Sequence, residues 1–230
     1  MGRQLEIGNP PIAIDLRRSA RARRLSLRVS KLDGKVSLTL PQHGSEREAM
    51  EFLTSREDWL RKHLGEVAPA QTVRIGGTVP LHGQEVPVLA GAVRRAVFRA
   101  GVVQVPDDPA RSGARVKAFL KLQARDALAE ASDRYAAALD RRYQRLSLRD
   151  TRSRWGSCSS DGVLMYSWRL IMAPPDVLDY VAAHEVSHLV EMNHSSAFWD
   201  LVARLMPDYA VHRAWLRENG DKLHRIQFGD

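Results

Sequence analysis

Hydrophobic positions change their period twice along this 230-residue chain, and the changes divide it. Over residues 24–30, Leu25, Leu27 and Val29 alternate with Arg24, Ser26, Arg28 and Ser30, the period of two expected of a strand with one covered face. Residues 12–16 and 35–40 also read as extended, and Asp33-Gly34, inside the stretch 31–35, supplies a hairpin turn between the second and third strands. Ser45 with Glu48 three residues on forms a capping box opening a helix to about Leu64, stopped by Gly65. Residues 73–106 then return to short β-branched runs broken by glycines, a meander or small barrel-like sheet. Past the stretch VPDDPARSG, residues 105–113, the chain turns alanine-rich, charged and glycine-free from Ala114 to about Gln144, as a long amphipathic helix does. This shift places a domain boundary between a β-rich N-terminal region with one helix, residues 1–106, and a second domain, residues 107–230. Beyond the long helix come a strand near residues 147–151, a hairpin-like pair around Ser159-Ser160-Asp161-Gly162, and a helical last third. The expected fold class is α+β: a helical core, a small adjoining β-sheet and the β-rich N-terminal region.

Composition narrows the picture. A hydrophobic content of 44% allows a real core, and the single cysteine, Cys158, excludes an internal disulfide framework. No run approaches the 18 or more apolar residues of a membrane span, and the first residues lack the apolar segment of a signal peptide, so a soluble cytoplasmic protein is expected. The formal charge is +8, and the stretch RRSARARRLSLR, residues 17–28, holds six arginines without an acid. A solvated strand face accounts for them simply. The alternative is weak nucleic-acid association through Arg21, Arg23, Arg24 and Arg28, though no aromatic interleaves to stack bases.

The strongest chemistry lies in YVAAHEVSHLVEMNHSSAFW, residues 180–199. Pro174-Pro175-Asp176 starts a helix, with proline tolerated in the first turn and an acid near the positive end of the dipole. At 100° per residue His184 and His188 project about 40° apart, with Glu185 about 60° from His188 on the same side. This is HExxH, in which imidazoles one turn apart both reach one tetrahedral zinc ion while the adjacent glutamate touches a water. Composition alone predicts roughly 0.01 such motifs in a chain like this. A third ligand is required, and Glu191, His194, Asp200, Asp208 and His212 are available. His194 is favoured: a helix ending at Met192-Asn193 would let it swing back, with Ser195 capping the next helix. Asp208 would instead imitate arrangements with a distant acidic ligand.

Three stretches carry a resemblance: RWGSCSSDG (residues 154–162), SWRLIMAPPDVLDYVAAHEVSHLVEMNHSSAFW (residues 167–199) and MPDY (residues 206–209). Together they resemble the YgjP-like metallopeptidase family, zinc hydrolases of gluzincin type akin to the SprT and WLM groups. The likeness is strong over residues 148–216 and weaker in the N-terminal region, through its basic strand, Asp-Gly hairpin and the helix containing Trp59. It implies a zinc peptidase with His184, His188 and His194 as metal ligands, Glu185 as catalytic acid/base, and a peptide or protein substrate. SprT and WLM relatives are associated with proteolysis near DNA, which the net charge suits. Ser167 departs from the pattern, which has asparagine before the Trp-Arg-Leu run, and a supporting hydrogen bond is in doubt there.

Two other classes compete. A nucleic-acid-associated protein with structural zinc would need a fourth protein ligand closing the site, and a zinc hydrolase acting on a non-peptide amide would share the metal but not the substrate. Trp155 and Cys158 read as packing, although the strand beside them is placed to pair with an extended peptide. Tyr166, Tyr209 and His212 are each able to donate to an oxyanion, and Phe198 and Trp199 to staple the following helix onto the metal helix.

Overall fold

Alternation decides the first strands. The computed structural model describes residues 3–30, 33–67 and 69–229, and its residues fall into two compact units that divide between Ala70 and Gln71. In the first unit β1 (Arg3–Ile7) pairs antiparallel with β2 (Ile12–Ser19), and β3 (Ser26–Val29) pairs antiparallel with β4 (Val36–Pro41). Parallel pairing of β2 with β4 joins them in the order β1-β2-β4-β3. Ile12, Ile14 and Leu16 of β2 and Val36, Leu38 and Leu40 of β4 bury every second side chain, as the period of two requires. The Asp33-Gly34 turn links β3 to β4, with Gly34 at φ 68°, where a glycine is favoured; Lys31 and Leu32 lie outside the described residues. β1 has no counterpart among the strands expected from the sequence.

Against this sheet pack two helices, not one: α1 (Glu46–Thr54) and α2 (Glu57–Gly65). Ser45 caps α1 as expected, accepting from the Arg47 N–H. The interruption has a local cause. Thr54 Oγ1 donates to the Met50 carbonyl (3.0 Å) and Ser55 Oγ to that of Phe52 (2.8 Å), bonds that compete with the helical ladder. The turn also brings both Leu53 and Leu60 fully into the core, each burial contributing about 1.5–3 kcal/mol.

The second unit opens with the short strand β5 (Gln71–Thr72), then β6 (Thr78–Leu81), β7 (Gln84–Ala90), β8 (Val97–Arg99) and β9 (Val102–Val105). The last four form a sheet in the order β6-β7-β9-β8, in which β7 and β9 run parallel, so it is not a simple meander. The composition break near Val105 marks the passage from β9 to the long helix α3 (Ser112–Ala138). Val79, Val88 and Val103 share one core with Val116, Leu120 and Leu128 of α3, so these strands belong to the second unit and its core runs across the 106/107 boundary expected from the sequence.

After α3, β10 (Arg145–Arg149), β11 (Gly156–Cys158) and β12 (Val163–Ser167) make a sheet in the order β10-β12-β11, leaving β11 at the edge. A short 3₁₀ turn, Trp168–Met172, leads to α4 (Pro175–Ser187), followed by α5 (Ser196–Leu205), α6 (Tyr209–His224) and β13 (Ile226–Gln227), which pairs with β5. Buried residues line α4 on nearly every side, among them Val177, Leu178, Val181, Ala182 and Val186, so α4 is the central helix of this unit. Arg169, 8% exposed, fixes the end of α6: it pairs with Asp150 at 2.6 Å and donates from Nη1 to the carbonyls of Leu223 and Ile226. Its charge is thus paired and its N–H groups used, which a buried guanidinium requires. The mixture of helices and small sheets is α+β. Among the described residues no helix is long and apolar enough to cross a membrane.

Candidate metal centre

Helix α4 carries the site on its last turns. It ends one turn earlier than the pattern suggested, at Ser187 with His188 as the capping residue, because the chain tightens there: Leu189 N–H bonds to Val186 O and Val190 N–H to Ser187 O. An Asn193 Oδ1 acceptor for the Ser195 N–H (3.0 Å) then turns the chain, and Ser195 Oγ caps α5 through the Phe198 N–H. This loop returns His194 to the α4 histidines.

The three imidazoles converge. His184, His188 and His194 offer ring nitrogens that all lie within 4.8 Å of one another, and His184 Nε2 and His194 Nε2 are 3.2 Å apart. Two nitrogens each 2.0–2.1 Å from a tetrahedral zinc stand about 3.3 Å apart, so this pair has the separation of co-ligands. His188 Nδ1 donates to the Glu191 carbonyl at 2.9 Å, which fixes its tautomer and leaves Nε2 with a free lone pair. Burial, with help from His188, His194 and Arg213, pushes the His184 pKa down to about 3, and burial also lowers that of His188. Both rings are held neutral, the form that ligates a cation. The fully buried Phe198 backs all three, with ring centroids 4.5–4.9 Å away, and Trp199 lies 5.6 Å from His184 and 5.9 Å from His194. The expected stapling residues therefore wall the cluster itself. The donor set suits a borderline-soft divalent ion, and it is the only convergent group of His, Cys, Asp and Glu among the described residues; no fourth such ligand joins it.

The other candidates stand apart. Asp208 pairs with His212 at 3.2 Å, which accounts for both side chains. Glu191 contributes its backbone carbonyl, and neither it nor Asp200 joins the convergent group. Cys158 keeps its proton: burial, then the nearby Glu185, raises its pKa to about 11. Tyr166 drops out as an oxyanion donor, since its hydroxyl is buried and shares a 3.0 Å hydrogen bond with Ser132.

Glu185 sits beside the imidazoles, 5% exposed, its pKa pushed up to about 8 by burial against the opposing charge of Arg154. What lets it fit is Gly156 of β11, where a Cβ would lie 2.5 Å from Glu185 Oε1. A cavity of about 350 Å³ opens beside His184 and Glu185, bounded also by Tyr180, Trp155, Arg154, Arg213 and Arg217. Sequence reasoning missed Gly156, Tyr180 and Arg213. Tyr180, one turn before His184, was visible in principle; Arg213 carries no local signal.

The family model for the YgjP-like metallopeptidase domain matches residues 23–219. The chain belongs to this family. The match runs through both compact units and takes in the whole histidine cluster. No curated protein matches the chain. Among solved structures, it is similar to the crystal structure of the metallopeptidase zymogen of Pyrococcus abyssi abylysin, at 19% identity and a TM-score of 0.37, over 44% of this chain and 98% of that one.

Proposed function

We propose that the protein is a zinc-dependent peptidase in which His184, His188 and His194 hold the metal and Glu185 is the general base. The observation that carries this is the convergence of three imidazoles, two of them with Nε2 atoms 3.2 Å apart, beside a buried carboxylate on the same helix. With three protein ligands and, among the described residues, none to close a fourth position, the arrangement suits a catalytic and not a structural site. Zinc bound there supplies Lewis acidity toward the scissile carbonyl and lowers the pKa of water.

The chain's own residues do the rest. Glu185, held protonated by burial, would be favoured in its charged form with a cation held by the imidazoles. The Glu185 carboxylate accepts a proton from the attacking water and delivers it to the leaving amine. Phe198 and Trp199 keep water from the back of the imidazoles, and the Glu191 carbonyl holds His188 in register. The free edge of β11, next to Gly156, is suited to an extended peptide adding as a strand.

Metal content and turnover of paired variants test this reading. Glu185→Gln keeps size and removes the base, so zinc stays bound and turnover falls about 10²-fold or more. His188→Ala loses both. A fully loaded Glu185→Gln protein that cleaves as fast as the parent disproves the mechanism, and one that loses zinc makes Glu185 part of the metal's support.

A further inference from the structure

The cavity beside the histidines is basic on both sides. Its floor is α4, with His184 and Glu185; Arg154 stands on one wall, just before β11, and Arg213 and Arg217 of α6 on another. Glu185 is the only carboxylate among its lining residues. None of the three arginines takes part in an ion pair among the described residues, whereas Arg61, Arg115, Arg134 and Arg169 of the same chain are all paired.

Position alone would make these arginines solvated surface, and all three are exposed. Two features set them apart. Arg213 is preorganised: its guanidinium carbon lies 4.5 Å from the centroid of Trp199, which stacks in turn on Tyr209 at 5.4 Å. A guanidinium held against an indole face keeps its N–H groups in the ring-parallel plane, free at the edge for a bidentate acceptor. The second feature is the spacing. Arg213 and Arg217 are four apart, so they share one helix face and repel one another, a cost relieved when an anion sits between them. The same face continues to Gly220, where a Cβ would lie 2.8 Å from Trp155, so α6 approaches the Trp155 wall closely and the cavity stays narrow. Its volume of about 350 Å³ admits one side chain or a chain end, and not a folded partner.

We infer that this cavity is a specificity pocket for a carboxylate carried by the peptide close to the scissile bond, held by Arg213 and Arg217 with Arg154 opposite. The carboxylate is either an acidic side chain or the peptide's own C-terminus, and both present the planar two-oxygen acceptor that a guanidinium edge matches. The inference rests on the peptidase reading for what lies beside the pocket, yet its binding step is separable from cleavage.

Two pairs of acetylated pentapeptides separate the possibilities. One pair is C-terminally amidated and differs by glutamate or glutamine at the central position; the other has neutral side chains throughout and ends in a free acid or an amide. Calorimetric binding to zinc-loaded Glu185→Gln protein should favour the acidic member of at least one pair by tenfold or more, and the pair that responds identifies the source of the carboxylate. Arg213→Gln and Arg217→Gln, each placed in that background, should cut the preference severalfold at unchanged zinc content and Tm, and Arg213→Lys should restore only part of it. Equal binding within both pairs, or a preference that survives both glutamine substitutions, overturns the pocket. Cleavage by the parent enzyme is scored separately. Selective binding without hydrolysis of any peptide sinks the peptidase reading and leaves the pocket standing; hydrolysis with equal binding does the reverse.

Discussion

The edge strand β3 and the helix α4 carry polar side chains in opposite ways. On β3 and the residues before it, Arg24, Ser26 and Arg28 face solvent while Leu25, Leu27 and Val29 turn toward the core, so every polar group lies where water already satisfies it. On α4 and its capping residue, Glu185 and His188 are 5% and 7% exposed among buried valines and alanines. Burying such groups costs several kcal/mol unless something compensates. A pattern that follows the burial rule reports on folding, and one that breaks it reports on chemistry.

The largest effect should come from the residue that completes the buried cluster. His194→Ala removes one of three converging nitrogens, so zinc occupancy at micromolar metal should fall at least tenfold and activity with it, while Asp208→Ala, which only frees His212, keeps its zinc. Metal analysis of both variants decides the matter. A zinc-replete His194→Ala beside a zinc-poor Asp208→Ala would mean that the exposed acid, not the converging histidine, is the ligand.

Gly156→Ala sharpens the contrast by changing no polar group at all. The added methyl would stand 2.5 Å from Glu185 Oε1 and 2.6 Å from its Cγ, inside contact distance, so the buried carboxylate must shift. Turnover should drop tenfold or more with zinc retained, since a positioned base tolerates little displacement. Unaltered turnover would show that Glu185 has room to spare and that its placement beside Gly156 is incidental.

How much of this was legible in the sequence depends on the range of the interaction. HExxH is a local pattern, and the convergence of His194 followed from short-range capping chemistry at Asn193 and Ser195, so the cluster could be read from residues 184–195 alone. The fold class and the N-terminal alternation were legible for the same reason. What was not legible depends on distant partners. The division of one expected helix at Ser55 rests on where Leu53 and Leu60 meet the sheet, and β1 has too weak an alternation to announce itself. The assignment of β6–β9 to the second unit follows from valines that find α3, and the composition break at Val105 records only a change of element. Arg213 reaches the site through Trp199, fourteen positions earlier, which no periodicity reveals.

The basic strand offers a smaller effect and a test of the opposite side of the comparison. Arg21, Arg23, Arg24 and Arg28 are exposed, and no salt bridge among the described residues uses them, so replacing all four by glutamine should move stability by no more than about 0.5 kcal/mol per site. We propose that they give weak, salt-sensitive nucleic-acid association. Titrating labelled duplex at two ionic strengths should show binding at low salt that weakens as salt rises and disappears in the quadruple variant. Absence of binding at low salt, or binding indifferent to the four substitutions, reduces the patch to solvated surface.

The smallest expected effect belongs to Ser167, where both halves of the comparison meet in one residue. It ends β12 fully buried, and its backbone N–H donates to the Trp155 carbonyl at 2.8 Å, so the strand pairing does not depend on its side chain. Its Oγ, however, is buried without a hydrogen-bond partner among the described residues, at the position where the family pattern has asparagine. An unpaired buried hydroxyl carries a desolvation penalty of about 1–3 kcal/mol, and deleting it leaves a void of only one oxygen. Ser167→Ala should therefore be neutral or stabilising by up to about 1 kcal/mol in urea denaturation, with zinc binding and turnover unchanged. Ser167→Asn adds volume in a filled core and should cost about 1–3 kcal/mol unless its amide finds both a donor and an acceptor. A Ser167→Ala protein destabilised by more than 1 kcal/mol would show that the hydroxyl is satisfied in solution by water. A stabilised Ser167→Asn protein would show that the surroundings have kept the partners of a longer side chain, and that this chain has lost only the residue that used them.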